Sequence, residues 1–309
     1  MEQMEQSFAP QYEQKEAYSP DFFAERAAEE SLEKIKGDFE NPESARENLA
    51  FHNSVHTERI IERTGLIINA IKEADPELVS EKTKVLGTIS AAFHDTVQGW
   101  EEKNAKDGDF AKTTIGRFVG QNEKASADLG AEFMDKLNKE SNMEIFSEDD
   151  KKILREAIEA TVPGFDPKKG VIQPNLNENS SIVARALALA DLGGAGMAGP
   201  EIFLEEGDVL FKEENLDIRE ALKNNAEIPD NLKNYYRQRM LGWTNFQPAF
   251  AEGRKNLLES DLNGLPETSQ KKLKSLFNKF DTSIEAAKQR ARNRQKMSFD
   301  ELVVDMKLK

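Results

Sequence analysis

Apolar residues recur along most of this chain at intervals of three and four, the spacing of one buried helix face. Ile60, Ile67 and Ile71 mark such a face in a segment closed by Pro76. Leu86, Ile89 and Phe93 mark a second, behind a capping Ser80. Helix starts are legible at Ser19-Pro20 and at Asn41-Pro42. Helical patterns resume over 123–139 and 149–161, and Ser180-Ser181 caps the apolar run IVARALALADL. Two long helices are predicted over 230–260 and 266–293, with Pro248 kinking the first. Residues 99–121, polar and glycine-containing, and 163–178, rich in Pro and Gly steps, read as loops. No sustained two-residue alternation occurs, and no Asn-Gly or Asp-Gly hairpin is read between strand-like runs. The expected fold class is all-α.

With 309 residues the chain can bury a substantial core. Residues 1–20, rich in Gln and Glu, are expected to be mobile. Residues 21–262 are expected to form a helical core, and 263–309 a basic helical extension. Hydrophobic residues make up 38% and charged residues 32%, a balance that suits helices with solvated faces. The absence of cysteine excludes disulfides, thiolate zinc sites and cysteine nucleophiles. No run nears the roughly 18 apolar residues that a membrane helix needs. The first ten residues also lack the regions of a signal peptide, so no membrane partner and a cytoplasmic location are expected. A net charge of −15, from 57 acidic and 42 basic residues, argues against generic nucleic-acid binding. Residues 271–309 reverse the balance, with eleven Lys/Arg against five Asp/Glu, and read chiefly as a solvated basic helix face.

Histidine is scarce, and all three lie between positions 52 and 94. His52 and His56 are four residues apart, so on a helix both rings would leave one face. His94-Asp95 ends an apolar stripe, where neither side chain is tolerated without a partner. Neutral imidazole and carboxylate together form a donor set for a divalent cation. Asp191, at the end of ALALAD, is the outstanding further ligand, since a carboxylate there needs pairing or a metal. Taken singly, each of these groups reads as a hydrogen-bonded core residue; taken jointly, they point to a metal site.

These residues resemble the H…HD…D ligand pattern of the HD-domain superfamily of metal-dependent phosphohydrolases. The match falls on His56, His94-Asp95 and Asp191. Phe51-His52-Asn53-Ser54-Val55-His56 is similar to the Y-H-N-x-x-H of two branches, the class I cyclic-nucleotide phosphodiesterases and a set of bacterial HD phosphohydrolases. Gln121-Asn122-Glu123-Lys124-Ala125-Ser126-Ala127 is similar to the N-E-x-x-S-A of the bacterial branch. The resemblance spans roughly 48–260 and implies an HD-like helical bundle with additional C-terminal helices. It implies His56, His94, Asp95 and Asp191 as metal ligands, with Asp95 bridging to a second ion held largely by water. It also implies His52 as the general acid in hydrolysis by a metal-activated water. Glu123 would orient that water or cap the helix that follows. Gln98 stands where the phosphodiesterases carry a further histidine, a departure that removes an imidazole behind the ligands.

The expected cofactor is one or two divalent ions, Mn, Mg, Fe, Zn or Co. The expected partner is a small phosphorylated substrate, a nucleotide above all. Arg63 and Arg185 are candidate cations for its phosphate, although each reads first as a surface or structural ion-pair residue. Lys103, Lys106, Lys112 and Arg117 lie in the 99–121 segment, which could close over a phosphate. Gln247 and Phe250 are similar to the Q-x-x-F that holds a purine in phosphodiesterases, although Phe250 reads first as plain helix packing. The competing expectation is a metal-stabilised module without catalysis that binds a nucleotide or protein partner.

Overall fold

The computed structural model describes residues 19–40, 49–224 and 227–309. The expectations for a mobile 1–20 segment and a helix start at Asn41-Pro42 fall outside them, apart from Ser19 and Pro20. The described chain is mostly helical. Ser19 caps α1 (Pro20–Phe39), accepting from the Phe22 amide, with Pro20 in the first turn. Helix α2 (Ser54–Ala74) is capped by Asn53, and α3 (Glu81–Phe93) by Ser80. After α4 (Gln121–Ser141) and α5 (Glu148–Glu159), Ser181 caps α6 (Ile182–Asp191).

Helices α2, α3 and α6 pack against one another as a triangle, with α1, α4 and α5 around α3. Their facing residues, Ile60, Ile67, Ile71, Leu86, Ile89, Phe93 and Leu187, are essentially without solvent contact. Gly87 marks the closest approach of α3 to α2: a methyl group there would stand 2.2 Å from Ile68 Cδ1. Burial of this face, at about 25 cal/mol per Å², fixes the three helix ends that carry the candidate ligands.

Four elements follow, the single turn α7 (Gly194–Met197), α8 (Pro200–Glu214), α9 (Leu216–Lys223) and α10 (Asp230–Asp261), and α7, α8 and α10 form the wall beside the candidate ligands. Pro248 sits inside α10, which runs on without a break. The predicted 266–293 helix is two, α11 (Glu267–Leu276) and α12 (Phe280–Arg294). The break has a packing cause. Phe277 and Phe280 close on Gly196, where any side chain would meet both rings, and the Lys279 amide donates to the Gly196 carbonyl at 3.0 Å. Helix α13 (Phe299–Asp305) follows. The basic C-terminal segment is not simply a solvated face. Arg294 is buried and donates to both carboxylate oxygens of Asp208 and to Asp305, while Arg290 also pairs with Asp208.

The 99–121 loop expectation is corrected. Trp100–Asp107 (β1) and Phe110–Arg117 (β2) form an antiparallel hairpin, in register from Trp100↔Arg117 to Asp107↔Phe110. Gly108 opens its two-residue turn at φ +61°, the arrangement in which glycine leads. Aspartate and glycine thus do form a hairpin turn here. The flanking strand WEEKNAKD is exposed almost throughout, so it shows no alternation to read. Within the second predicted loop, β3 (Gly164–Asp166) and β4 (Gly170–Ile172) form a shorter hairpin.

Candidate metal centre and its pocket

The segment Phe51-His52-Asn53 precedes α2 rather than beginning it. Asn53 accepts the His56 amide at 3.0 Å as the helix cap and donates to the Ala50 carbonyl. His52 therefore lies outside the helix, and the expectation of two rings on one helical face is corrected. The reversal at Asn53 brings the rings together all the same, with centroids 5.8 Å apart.

His56 on α2 meets His94 and Asp95 at the end of α3, the three forming a compact buried group able to hold an ion. The two Nε2 atoms lie 3.4 Å apart, and Asp95 Oδ2 is 3.4 Å from His56 Nε2 and 3.2 Å from His94 Nε2. Asp191, ending α6, places Oδ1 3.6 Å from His56 Nε2. Ligands about 2.1 Å from one cation stand about 3.0–3.4 Å from each other, so the edges among His56, His94 and Asp95 fit a shared ion, while Asp191 approaches His56 but stands outside that compact group. His94 Nδ1 donates to the Ala91 carbonyl at 2.7 Å, which leaves the Nε2 lone pair to the cluster. His56 Nδ1 is buried without a partner, so only Nε2 of that ring is engaged.

The electrostatics suit a cation. Burial pushes His56 down to about 4, keeping it neutral against the pull of Asp95. Burial also acts to lower His94, but the charges of Asp95 and Asp191 outweigh it and raise the ring to about 9. Burial opposes the charged form of Asp95 too, yet His94 and His56 hold it well below the carboxylate range. Asp191 is pushed up, by burial first and by Asp95. A proton on His94 thus stands where a cation would balance the carboxylates.

Behind His52 lies Glu213 of α8, a buried carboxylate that sequence reasoning missed. It accepts the Phe51 and His52 amides at 2.7 and 3.0 Å and engages His52 Nδ1. On the other side of the ring, Arg117 Nη1 donates to His52 Nε2 at 2.6 Å. Arginine only donates, so Nε2 accepts and the ring proton sits on Nδ1, toward Glu213. Burial acts to raise Glu213, but the charge that His52 carries when protonated, followed by the bonds from His52 and Phe51, holds it down to about 2.

Arg117 ends the hairpin. It also donates through Nε to Gln98 Oε1 at 2.9 Å and through Nη2 to Asp95 Oδ1 at 3.2 Å. Gln98 Nε2 donates to the same Asp95 oxygen at 2.8 Å. The amide expected to leave a gap behind the ligands instead ties Asp95 to Arg117. The start of α4 pins this segment. Asn122 exchanges two bonds with the Gly99 backbone, and Ser126 Oγ accepts the Val97 amide at 3.0 Å. Glu123 accepts the Gly120 amide as a cap with one oxygen; the other faces Arg117 Nη2 at 4.0 Å and the pocket.

His52, Asp95, Arg117, Glu123 and Asp191 line one side of a cavity of about 360 Å³. Phe203, Trp243, Phe246, Gln247 and Phe250 line it from α8 and α10. Phe203 and Phe250 stack with centroids 6.2 Å apart, and Trp243, Phe246 and Phe250 follow helical spacing that the sequence displays. Arg63 does not line the cavity; it is paired to Glu206, which does, at 2.6 Å. Arg185 lies elsewhere, buried against the main-chain carbonyls of Asp261 and Asn177. Among the described residues no helix is long and apolar enough to cross a membrane. Comparison with protein-family models, curated proteins and solved structures yields no match for this chain.

Proposed function

We propose that this protein is a metal-dependent phosphohydrolase, of the HD kind that its motifs resemble, cleaving a phosphoester of a small molecule such as a nucleotide. The observation that carries the reading is the convergence of His56, His94 and Asp95 on one point, at a cavity that also presents His52 and Arg117. His56, His94, Asp95 and Asp191 would hold the cation. A divalent ion there supplies Lewis acidity toward the phosphoryl oxygens and lowers the pKa of water. His52, oriented by Glu213, lies beside that point and serves as the proton donor to the leaving oxygen once its Nε2 is released by Arg117 and protonated. Arg117 attracts the anionic group into a pocket otherwise rich in carboxylates. The aromatic wall of Trp243, Phe246 and Phe250 excludes water and suits a flat base.

The test is product release by purified protein with Mn²⁺, Mg²⁺ or Co²⁺. Cyclic nucleotides, mononucleotides and nucleoside triphosphates are offered, with Asp95→Ala as the control. Turnover lost in the control supports the reading. Silence across the panel with the ion bound would favour a binding module instead.

A further inference from the structure

We propose that this site works with a single metal ion, and that the Arg117 guanidinium supplies the second positive charge and binds the substrate's phosphoryl oxygens. The inference rests on the cation site proposed above and concerns how that site is completed.

The two oxygens of Asp95 face different ways. Oδ2 lies between the His56 and His94 Nε2 atoms, at 3.4 and 3.2 Å. Oδ1 is taken by two donors, Gln98 Nε2 at 2.8 Å and Arg117 Nη2 at 3.2 Å. A carboxylate that bridges two cations must turn its second oxygen to the second one, and here that oxygen faces a guanidinium. A further cation at this place would also meet the fixed charge of Arg117 at close range, in surroundings that screen it poorly.

Arg117 is placed for the task. It is the only Lys or Arg among the described residues lining the cavity, beside the carboxylates of Glu123, Glu206 and Glu214 as well as the candidate ligands. Of its five N–H groups, one each goes to Gln98, His52 and Asp95, which leaves two for an anion. A planar fork of donors matches phosphoryl oxygens better than an ammonium does. Its backbone is fixed from both sides. Arg117 pairs with Trp100 at the base of the hairpin, and the next residue, Phe118, donates its amide to the Gly99 carbonyl at 3.1 Å.

The experiment loads the full chain, stripped by chelation, with Mn²⁺. Bound manganese is counted, its electron paramagnetic resonance spectrum recorded, and inorganic phosphate titrated by calorimetry. The expected result is one Mn²⁺ per chain with an uncoupled six-line spectrum. Arg117→Ala should keep that ion and weaken phosphate about tenfold or more, with Arg117→Lys in between. Circular dichroism checks that both variants fold, and the lysine variant carries the test should the alanine variant fail to. Two exchange-coupled Mn²⁺ per chain, or phosphate affinity indifferent to both substitutions, would overturn the proposal. A folded chain that takes up no Mn²⁺ at all would instead overturn the cation site on which it rests.

Discussion

Glu213 accepts the backbone amide of His52 at 3.0 Å while also holding that residue's Nδ1. One carboxylate thus fixes both the position of the segment and the tautomer of its ring. Glu213→Gln replaces the charged acceptor with an amide that cannot stabilise an imidazolium. Turnover should fall about 100-fold, with KM and bound metal little changed. Steady-state kinetics beside a metal assay check this, and an equal loss of metal would mark Glu213 as structural only.

The same carboxylate governs acid stability. Its value drops from 4.5 to about 2 on folding, so its contribution is complete above about 4.5 and is lost as pH falls through 2. The contribution is on the order of 3 kcal/mol. Urea midpoints measured between pH 5 and pH 2.5 should decline more steeply for the wild type than for Glu213→Gln.

Metal uptake should displace the proton that His94 holds up to about 9. Apparent Mn²⁺ affinity should therefore weaken about tenfold per pH unit below 9 and level off above it. His56, at about 4, adds no second proton in the neutral range. At saturating Mn²⁺ the melting temperature should stand about 5 °C above that of the chelated protein. Calorimetric titration and thermal melts read both effects, and a pH-independent affinity would contradict the proton exchange.

Arg185 gives a contrast. Its guanidinium donates to main-chain carbonyls of Asn177 and Asp261 and does not line the cavity. Arg185→Met should cost about 2–4 kcal/mol of stability by leaving those carbonyls unmet. It should leave KM for any turned-over phosphoester unchanged. A rise in KM without loss of stability would return Arg185 to the substrate-binding role its sequence position suggests.

His94, Asp95 and Asp191 were legible because each ends an otherwise apolar run, and such breaks call for a partner; His56 was legible because histidine is scarce in this chain and because of the motif around it. Helix starts at Ser19, Ser80 and Ser181 were legible for a local reason too, the chemistry of the cap. What escaped depends on distance along the chain. Glu213 lies in KEEN, within a stretch that reads only as a mixed connection, and its partner His52 is 161 residues away. The hairpin escaped because an exposed strand need not alternate, and Arg117 consequently read as one loop cation among several. The break at residues 277–279 follows from Gly196, which no pattern within that helix reveals.

Because every histidine of the chain belongs to this cluster, a protein labelled with isotope only in histidine would give a magnetic-resonance spectrum of the site alone. Three imidazole rings would report their protonation and tautomers separately, without assignment of the other 306 residues. The absence of cysteine adds a second reporter position, since one introduced thiol can be tagged without a competing native one.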